Sequence, residues 1–484
     1  MSYSKLAMKG AAWSLLQVLA ERFTQTVVML TAALFLGPHE FGVAAMATAP
    51  AIVTAATLQS GNQLVIQREE ATPAFLDTAF SLFLWLGVLA AAAIAALAFV
   101  FRMMPGYDAV YLMILPTALA PLAAGVGVVA EGLLERSFNY RVLAVRKTVG
   151  QAIAGVACCT LAVLGFGAWS IVVQVTVAPV ISTAISIAAS GWRAQRLAGF
   201  GAMKELIRFS GALLGFSAMN QINIRSVDVI VGFIAGPTAT GVFRLARTVL
   251  DLAVSLFLNP INNTLLPIFS RMVGDRQRTM EAMWRACGIT SLVASLPFVA
   301  SAFAGPYLVD LVFKDKWPHL ALLVTILLSS LPLIAVVVPM QTFLVAIGRP
   351  KLALINNVIQ TTMNVAFIWV GANFGVIAAG VAFAIRCYLS GGILIFVVAR
   401  LTPEIRVARD VVTNGPAMVG LGIVAVGEAV LWLCNLNTAR LEIAAISTCL
   451  ALASYGLLLN LVFPTRIGQL LSSAGLRRKL GPVD

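Results

Sequence analysis

The feature that most constrains this chain is a series of long apolar runs that recur from one end to the other. Leu82–Val100, Leu320–Leu328 and Ile443–Val462 contain no charged side chain. Crossing a hydrocarbon core about 30 Å thick takes about 20 helical residues. Only helices or closed barrels satisfy their backbone hydrogen bonds in lipid. Because the runs show no alternation of apolar and polar positions, we predict helices.

The composition agrees with a membrane protein. Of the 484 residues, 60% are apolar and 11% are charged, and the mean hydropathy is +0.94. A soluble domain of this length needs more charge to cover its surface. We therefore predict an all-α polytopic protein with about fourteen transmembrane helices. The predicted spans are 11–36, 41–66, 76–101, 110–131, 148–166, 168–190, 207–235, 242–266, 286–313, 320–347, 352–372, 374–399, 411–434 and 440–463.

The basic residues predict the orientation of the chain. With the N-terminus inside, and with Arg208 and Arg440 at the ends of their spans counted with the adjoining loops, cytoplasmic segments hold 24 of the 33 Lys and Arg residues, outer loops hold four and the spans hold five. Positive charge is enriched on the cytoplasmic side of membrane proteins, so both termini are predicted to be cytoplasmic. Topology therefore explains the net charge of +13, and no binding of nucleic acid is expected.

The connections between the predicted spans are short, and none forms an extramembrane domain. The longest are the cytoplasmic segments 136–147, 191–206 and 267–285, interpreted as polar or amphipathic helical connectors. A membrane-embedded glycosyltransferase or polymerase would present acidic residues in a sizeable surface loop, and no outer loop here carries paired carboxylates. From these short loops we predict that the protein is not an enzyme. We also predict no metal site, because the cysteines and the two histidines lack metal-ligand spacing.

A short motif repeats 199 residues along the chain. Gly37-Pro38-x-x-x-Gly42-Val43 follows the first span, and Gly236-Pro237-x-x-x-Gly241-Val242 follows the seventh. Six spans separate the copies, so both halves have the same orientation and a cavity between them is expected, as in transporters built from parallel repeats. The predicted domains are an N-terminal lobe (1–200), a C-terminal lobe (201–400), and spans 13 and 14 with a basic tail (401–484).

Ionisable residues inside the spans predict a functional interior. A charge at the centre of a bilayer costs at least about 2.5–3.5 kcal/mol, so it normally faces protein or water. Spans 1, 7 and 8 supply four of the five arginines that lie away from the span ends, and the fifth is Arg386 in span 12. Glu428, in span 13, has no evident partner in the sequence. Apart from Arg208 at the start of span 7, the charged residues of spans 1, 7 and 8 are Glu21, Arg22, Arg225, Asp228, Arg244, Arg247 and Asp251.

Four short motifs along the chain are Met8-Lys9-Gly10-Ala11-Ala12-Trp13-Ser14, Leu36-Gly37-Pro38-x-x-Phe41-Gly42, Leu266-Pro267-x-x-Ser270-Arg271 and Gly348-Arg349-Pro350. Together they resemble motifs of the polysaccharide-transporter family, the Wzx-type oligosaccharide flippases. The resemblance implies the multidrug/oligosaccharidyl-lipid/polysaccharide transporter fold, with two six-helix lobes in a V plus two C-terminal helices. It also implies a bacterial inner-membrane protein and, as substrate, an oligosaccharide linked to polyprenyl pyrophosphate.

That substrate suggests roles for the intramembrane residues. Arginine donates bidentately to phosphate and stays protonated, so Arg22, Arg225, Arg244 and Arg247 are predicted to bind the pyrophosphate. The alternative is that Arg225–Asp228 and Arg247–Asp251 are intrahelical ion pairs. Glu21, Asp228 and Asp251 either couple transport to H⁺ or Na⁺ or balance the arginines. The candidate sugar contacts are Gln25, Asn357, Gln360 and Asn364, although such residues also join helix to helix.

The predicted function is export of a lipid-linked oligosaccharide for exopolysaccharide, O-antigen or capsule synthesis by alternating access. A cation-coupled drug exporter of the same superfamily and a peptidoglycan lipid-precursor flippase are the alternatives. Besides substrate and membrane lipid, the expected partners are a polymerase and chain-length proteins of the same pathway. No cofactor is expected apart from the coupling ion.

Overall fold

The fold is described by a computed structural model. It describes residues 24–68, 70–137, 139–259, 261, 265, 268–269, 272, 275–313, 316–401, 419–427, 430–431 and 441–462. These residues form helices and their connections, and no strand occurs among them. The helices are α1 (Thr24–Phe35), α2 (Pro38–Gln59), α3 (Asn62–Gln67), α4 (Pro73–Met103), α5 (Asp108–Thr117), α6 (Leu119–Arg136), α7 (Tyr140–Val163), α8 (Trp169–Ser190), α9 (Phe200–Ala253), α10 (Arg276–Phe313), α11 (Leu320–Leu328), α12 (Leu331–Ala346), α13 (Pro350–Ala372), α14 (Val376–Leu401) and α15 (Leu441–Val462).

Eleven helical stretches of the described chain are long and apolar enough to cross a membrane. One of them, Leu214–Leu258, overlaps both of the predicted spans 207–235 and 242–266 and has a kink between them. The described part of the first span is α1, a shorter apolar helix. Span 13, with Glu428, falls mostly outside the described residues. The polytopic all-α prediction is confirmed.

The repeated Gly-Pro motif lies at a turn between two helical segments in both of its copies. Gly37 is the N-cap of α2 and Pro38 opens the helix, where a missing N–H has no cost. Gly236 (φ 85°, ψ 172°) interrupts α9, and Pro237 begins its second part. The positive φ at this kink is readily adopted only by glycine. Each motif therefore joins two helices through a sharp turn, as the sequence predicts.

The two copies of the motif contact each other through their glycines. A Cβ on Gly42 would lie 1.7 Å from the carbonyl oxygen of Pro237, and a Cβ on Gly241 would lie 1.9 Å from that of Pro38. Only glycine allows two backbones to approach this closely. The reciprocal contact explains why the fourth residue after each proline is glycine.

Two membrane-crossing stretches are broken in the middle, one in each half of the chain. Asp108–Arg136 divides into α5 and α6 at Ala118, after Pro116. Leu320–Ala346 divides into α11 and α12 at Ser329–Ser330. The freed carbonyl of Ser329 accepts a hydrogen bond from the Tyr388 hydroxyl at 2.8 Å. Interrupted spans at corresponding positions of two repeats often mark the binding region of a transporter.

Contacts between residues divide the chain into two compact units, 1–245 and 246–484. In the second unit, an apolar core of α10, α12 and α14 includes Trp284, Phe343 and Leu394. The lobe boundaries at 200 and 400 remain predictions.

The segment 136–147 differs from the predicted connector. Helix α7 begins at Tyr140, and Arg146 is 2% exposed. Arg146 forms an ion pair with Glu131 of α6 and donates to the hydroxyl of Ser186 at 2.8 Å. The buried charge is tolerated because a carboxylate from another helix faces it. The pair is distant in sequence, so periodicity alone did not indicate it.

Replacing Arg146 with methionine is expected to destabilise the protein by about 3–5 kcal/mol, because Glu131 becomes an uncompensated buried charge. Thermal unfolding of the purified protein measures this effect. The double variant Glu131→Gln/Arg146→Met is the control, and we expect it to lose less stability than Arg146→Met alone. Equal losses in the two variants would contradict the ion-pair explanation.

Candidate functional site

The first arginine cluster, which we define as Arg225, Asp228 and Arg244, lies in the first unit. Asp228 Oδ2 is 3.7 Å from Arg225 Nη1 and accepts a hydrogen bond from Arg244 Nη1 at 3.2 Å. The Asp228 side chain is 4% exposed. Two of the four predicted arginines, Arg225 and Arg244, therefore lie beside the same carboxylate.

The kink at Gly236 assembles this cluster. Arg244 and Asp228 are 16 residues apart, which along a straight helix would separate them by about 24 Å. The positive φ of Gly236 turns the chain, so the second part of α9 returns past the first. The same turn that carries the repeated motif thus places a second guanidinium on Asp228. The three side chains together carry one net positive charge.

The second arginine cluster, which we define as Arg247, Asp251, Phe383 and Arg386, lies in the second unit. Arg247 Nε donates to Asp251 Oδ1 at 3.2 Å, four residues later on the same helix. A π-helical turn, Val254–Leu258, begins three residues after Asp251. π-Helical turns are rare in proteins, and those that occur are often found at functional sites. Arg247 and Asp251 therefore form one of the two intrahelical ion pairs considered as the alternative to pyrophosphate binding. Arg225 and Asp228 form the other, with 3.7 Å between Nη1 and Oδ2.

Helix α14 supplies two residues that the predicted site did not contain. The Cζ atoms of Arg247 and Arg386 each lie 4.8 Å from the centroid of the Phe383 ring. Arg386 is 8% exposed, and its Nη2 donates to Cys387 Sγ at 2.9 Å. A lone arginine in the apolar span 12 was the available sequence signal. Phe383 gave no signal, because phenylalanine is ordinary in a membrane helix.

The other predicted residues lie apart from these clusters in sequence. Gln25 is partly buried on α1 in the first unit, whereas the polar stripe of α13 belongs to the second unit. Within the stripe, Asn364 is 1% exposed, and Asn357 and Gln360 are partly buried. The stripe therefore faces protein. Glu21 and Arg22 lie outside the described residues.

No metal site is evident in the described part of the chain, where no group of three or more His, Cys, Asp or Glu side chains is placed to hold an ion. Carboxylates in the two arginine clusters instead face guanidinium groups. The chemistry of both clusters is that of anion binding or charge balance.

The sequence profile of a family described as polysaccharide biosynthesis protein matches residues 32–322. The chain belongs to this family. The match includes both copies of the Gly-Pro motif and the first arginine cluster, together with Arg247 and Asp251. The family confirms the resemblance indicated by the short sequence motifs.

Two curated relatives have names connected with polysaccharides. The succinoglycan biosynthesis transport protein ExoT of Rhizobium meliloti (strain 1021) is 28% identical over 326 residues, 65% of this chain and 64% of that protein. The lipopolysaccharide biosynthesis protein WzxC of Escherichia coli (strain K12) is 21% identical over 380 residues, 77% of this chain and 76% of WzxC. The alignment thus spans slightly less than two thirds of ExoT.

Solved structures show the same fold. The lipid II flippase MurJ, in an inward closed conformation, has a TM-score of 0.73 and 13% identity, covering 95% of this chain and all of MurJ. An inward-facing multidrug resistance MATE transporter has a TM-score of 0.62 and 15% identity, covering 80% of this chain and 97% of that one. At these identities the likeness concerns the fold alone.

The family and the fold agree on a multi-pass membrane protein of a polysaccharide biosynthesis family. The fold and the family are therefore as predicted. The substrate is not given by the fold, because MurJ and the MATE transporter share it while their names describe different functions.

Proposed function

We propose that the protein is a flippase that moves a polyprenyl-pyrophosphate-linked oligosaccharide from the inner to the outer leaflet of the bacterial cytoplasmic membrane. Transport by alternating access would supply exopolysaccharide, O-antigen or capsule synthesis, and both termini would be cytoplasmic. Two observations support the proposal. The relatives are polysaccharide biosynthesis proteins, and arginines outnumber carboxylates in both clusters.

The excess of arginine carries the proposal because of the substrate's diphosphate. A diphosphate diester bears about two negative charges, which are costly to move through a medium of low dielectric constant. Buried guanidiniums lower that cost through charge-assisted, bidentate hydrogen bonds. Arg22, Arg225, Arg244 and Arg247 are assigned to this contact. Asp228 and Asp251 hold the arginines between cycles, and the polar stripe of α13 with Gln25 contacts the sugar.

The same charge pattern disfavours the drug exporter. A cationic drug needs an apolar or acidic surface, and an excess of guanidinium groups repels it. The peptidoglycan lipid precursor, by contrast, carries the same diphosphate, so charge does not separate it from the proposed substrate. Only contacts with the sugar can distinguish the peptidoglycan lipid precursor from the proposed lipid-linked oligosaccharide.

Transport by the purified protein in liposomes tests the proposal. Three fluorescent probes are compared: a polyprenyl-diphosphate oligosaccharide, the peptidoglycan lipid precursor and a cationic dye. We expect the oligosaccharide probe to reach the opposite leaflet faster than in protein-free liposomes. Movement of the precursor alone, or of the dye alone, would favour the corresponding alternative.

Alanine at Arg225 or at Arg247 is expected to abolish polymer export in cells while the protein remains in the membrane. Each change removes a guanidinium from the proposed diphosphate contact. Export from a deletion strain and the amount of protein in membranes are measured together. Arg102→Ala is the control, because Arg102 is exposed and its Cζ lies 5.5 Å from the Tyr111 ring centroid. Normal export from both Arg225→Ala and Arg247→Ala would reject the assignment.

A further inference from the structure

One aromatic ring in the second unit is shared by two guanidinium groups. The Cζ atoms of Arg247 and Arg386 each lie 4.8 Å from the Phe383 centroid, so they cannot be farther apart than twice that distance. Two like charges so close together repel each other strongly in an apolar environment. The ring contacts offset part of this repulsion, since a cation above an aromatic face is attracted to it.

The charges around Phe383 are only partly balanced by the described residues. Asp251 pairs with Arg247 and is itself 45% exposed. Arg386 is 8% exposed, and no carboxylate in the described ranges lies within ion-pair distance of it. Its Nε is buried without a hydrogen-bond acceptor in that part of the chain. A buried, unneutralised guanidinium is costly unless a ligand supplies the negative charge.

Two features of the backbone lie beside these side chains. The π-helical turn Val254–Leu258 begins three residues after Asp251. On α14, Tyr388 is two residues beyond Arg386 and donates to the carbonyl of Ser329 at the break between α11 and α12. Irregular helices of this kind are concentrated at binding regions in membrane proteins. Charge and backbone therefore indicate the same region.

We propose that Arg247, Phe383 and Arg386 form an anion site for the diphosphate of a lipid carrier, with one guanidinium for each phosphate. The assignment rests on the proposed function and adds Arg386 to its binding residues. Each phosphate of a diphosphate diester has two free oxygens, which match the two parallel donors of an arginine fork. Phe383 holds the two forks apart, so the site distinguishes a diphosphate from a single phosphate.

Binding of farnesyl diphosphate and farnesyl monophosphate to the purified full-length protein tests the site by calorimetry. Wild-type protein is expected to prefer the diphosphate. Arg386→Gln is expected to weaken diphosphate binding by about tenfold to hundredfold and monophosphate binding much less, because one fork is lost. Arg386→Lys retains the positive charge without the two parallel donors of the guanidinium. Its affinity for the diphosphate is expected to lie between those of the wild type and Arg386→Gln.

Arg400→Gln is the matched control. Arg400 lies on the same helix, with its Cζ 4.4 Å from the Phe396 centroid, but it is exposed. The control is expected to bind both probes as the wild type does. Size-exclusion chromatography and thermal unfolding verify that each variant is folded. If Arg386→Gln does not fold, the binding measurements are made with Arg386→Lys.

The outcomes separate this site from the proposed function. Wild-type affinity for the diphosphate in both Arg386 variants would overturn the site and leave the flippase proposal standing. Equal wild-type affinity for the two probes would also overturn it. If the wild type bound neither probe yet moved the lipid-linked oligosaccharide in liposomes, the diphosphate would not be the recognised group. If it also moved no lipid-linked oligosaccharide, the proposed function would fail as well.

Discussion

Arg244→Gln is expected to reduce polymer export by more than about tenfold, and adding Asp228→Asn is expected to restore part of it. In the wild type, Arg225 and Arg244 share the carboxylate of Asp228, which gives the three groups one net positive charge. Arg244→Gln leaves one arginine and one carboxylate, so the net charge becomes zero. The double variant returns it to plus one.

The prediction follows from the burial of the cluster. The side chains of Arg225, Asp228 and Arg244 are 17%, 4% and 12% exposed, so water screens their charges poorly. Asp228→Asn alone raises the net charge to plus two. That variant is expected to bind the diphosphate more tightly and release it more slowly, so its export also falls. Export should therefore be highest at one net positive charge and not at the largest charge.

Export from a deletion strain, normalised to the protein in membranes, measures the series. Arg102→Gln serves as the control, because Arg102 is exposed and distant in sequence from the cluster. Thermal unfolding separates loss of stability from loss of transport. Wild-type export from folded Arg244→Gln, or no gain from the double variant, would show that transport does not depend on the charge of this cluster.

Most of the fold follows from local sequence properties. A membrane-spanning helix is a local feature, because its length and apolar character are set by the bilayer. The predicted spans that fall on described residues therefore overlap the observed helices, although α7 and α10 begin eight and ten residues before the spans 148–166 and 286–313. The two Gly-Pro turns are equally local, since glycine and proline determine the backbone at their own positions.

The site was predictable only where its contacts are local. Arg225–Asp228 and Arg247–Asp251 are three and four residues apart, and helical periodicity indicates such pairs directly. Arg244 meets Asp228 because of the direction taken by the chain after Gly236. No residue spacing specifies that direction. The contacts of Phe383 and the pairing of Arg146 with Glu131 likewise depend on helix packing.

The breaks in the helices and the buried charges belong together. A continuous apolar helix satisfies its own backbone and has no need of polar side chains. Each break frees backbone groups that require partners, such as the Ser329 carbonyl bound by Tyr388. The Gly236 kink is also what allows two arginines to share Asp228. Irregular backbone in this protein therefore creates the polar positions on which transport is proposed to depend.

Gly42→Ala and Gly241→Ala are each expected to destabilise the protein by about 1–3 kcal/mol and to reduce export. Alanine normally stabilises a helix relative to glycine by about 0.5–1 kcal/mol, so the predicted sign is opposite to the usual one. The reason is the contact between the repeated turns, where the added Cβ would lie 1.7 or 1.9 Å from a carbonyl oxygen. A backbone carbonyl cannot change rotamer to avoid it, so the helices must separate.

Gly215→Ala is the matched control, because Gly215 lies within α9 and a Cβ there would meet no atom within 4 Å. Its thermal unfolding midpoint should equal or exceed that of the wild type, whereas those of Gly42→Ala and Gly241→Ala should fall. The double variant should lose less than the sum of the single losses, because a separation forced by the first methyl group also makes room for the second. Fully additive losses would mean that the two glycines act independently. In that case the repeated motif would serve only to shape each turn, and the contact between its copies would have no role in stabilising the protein.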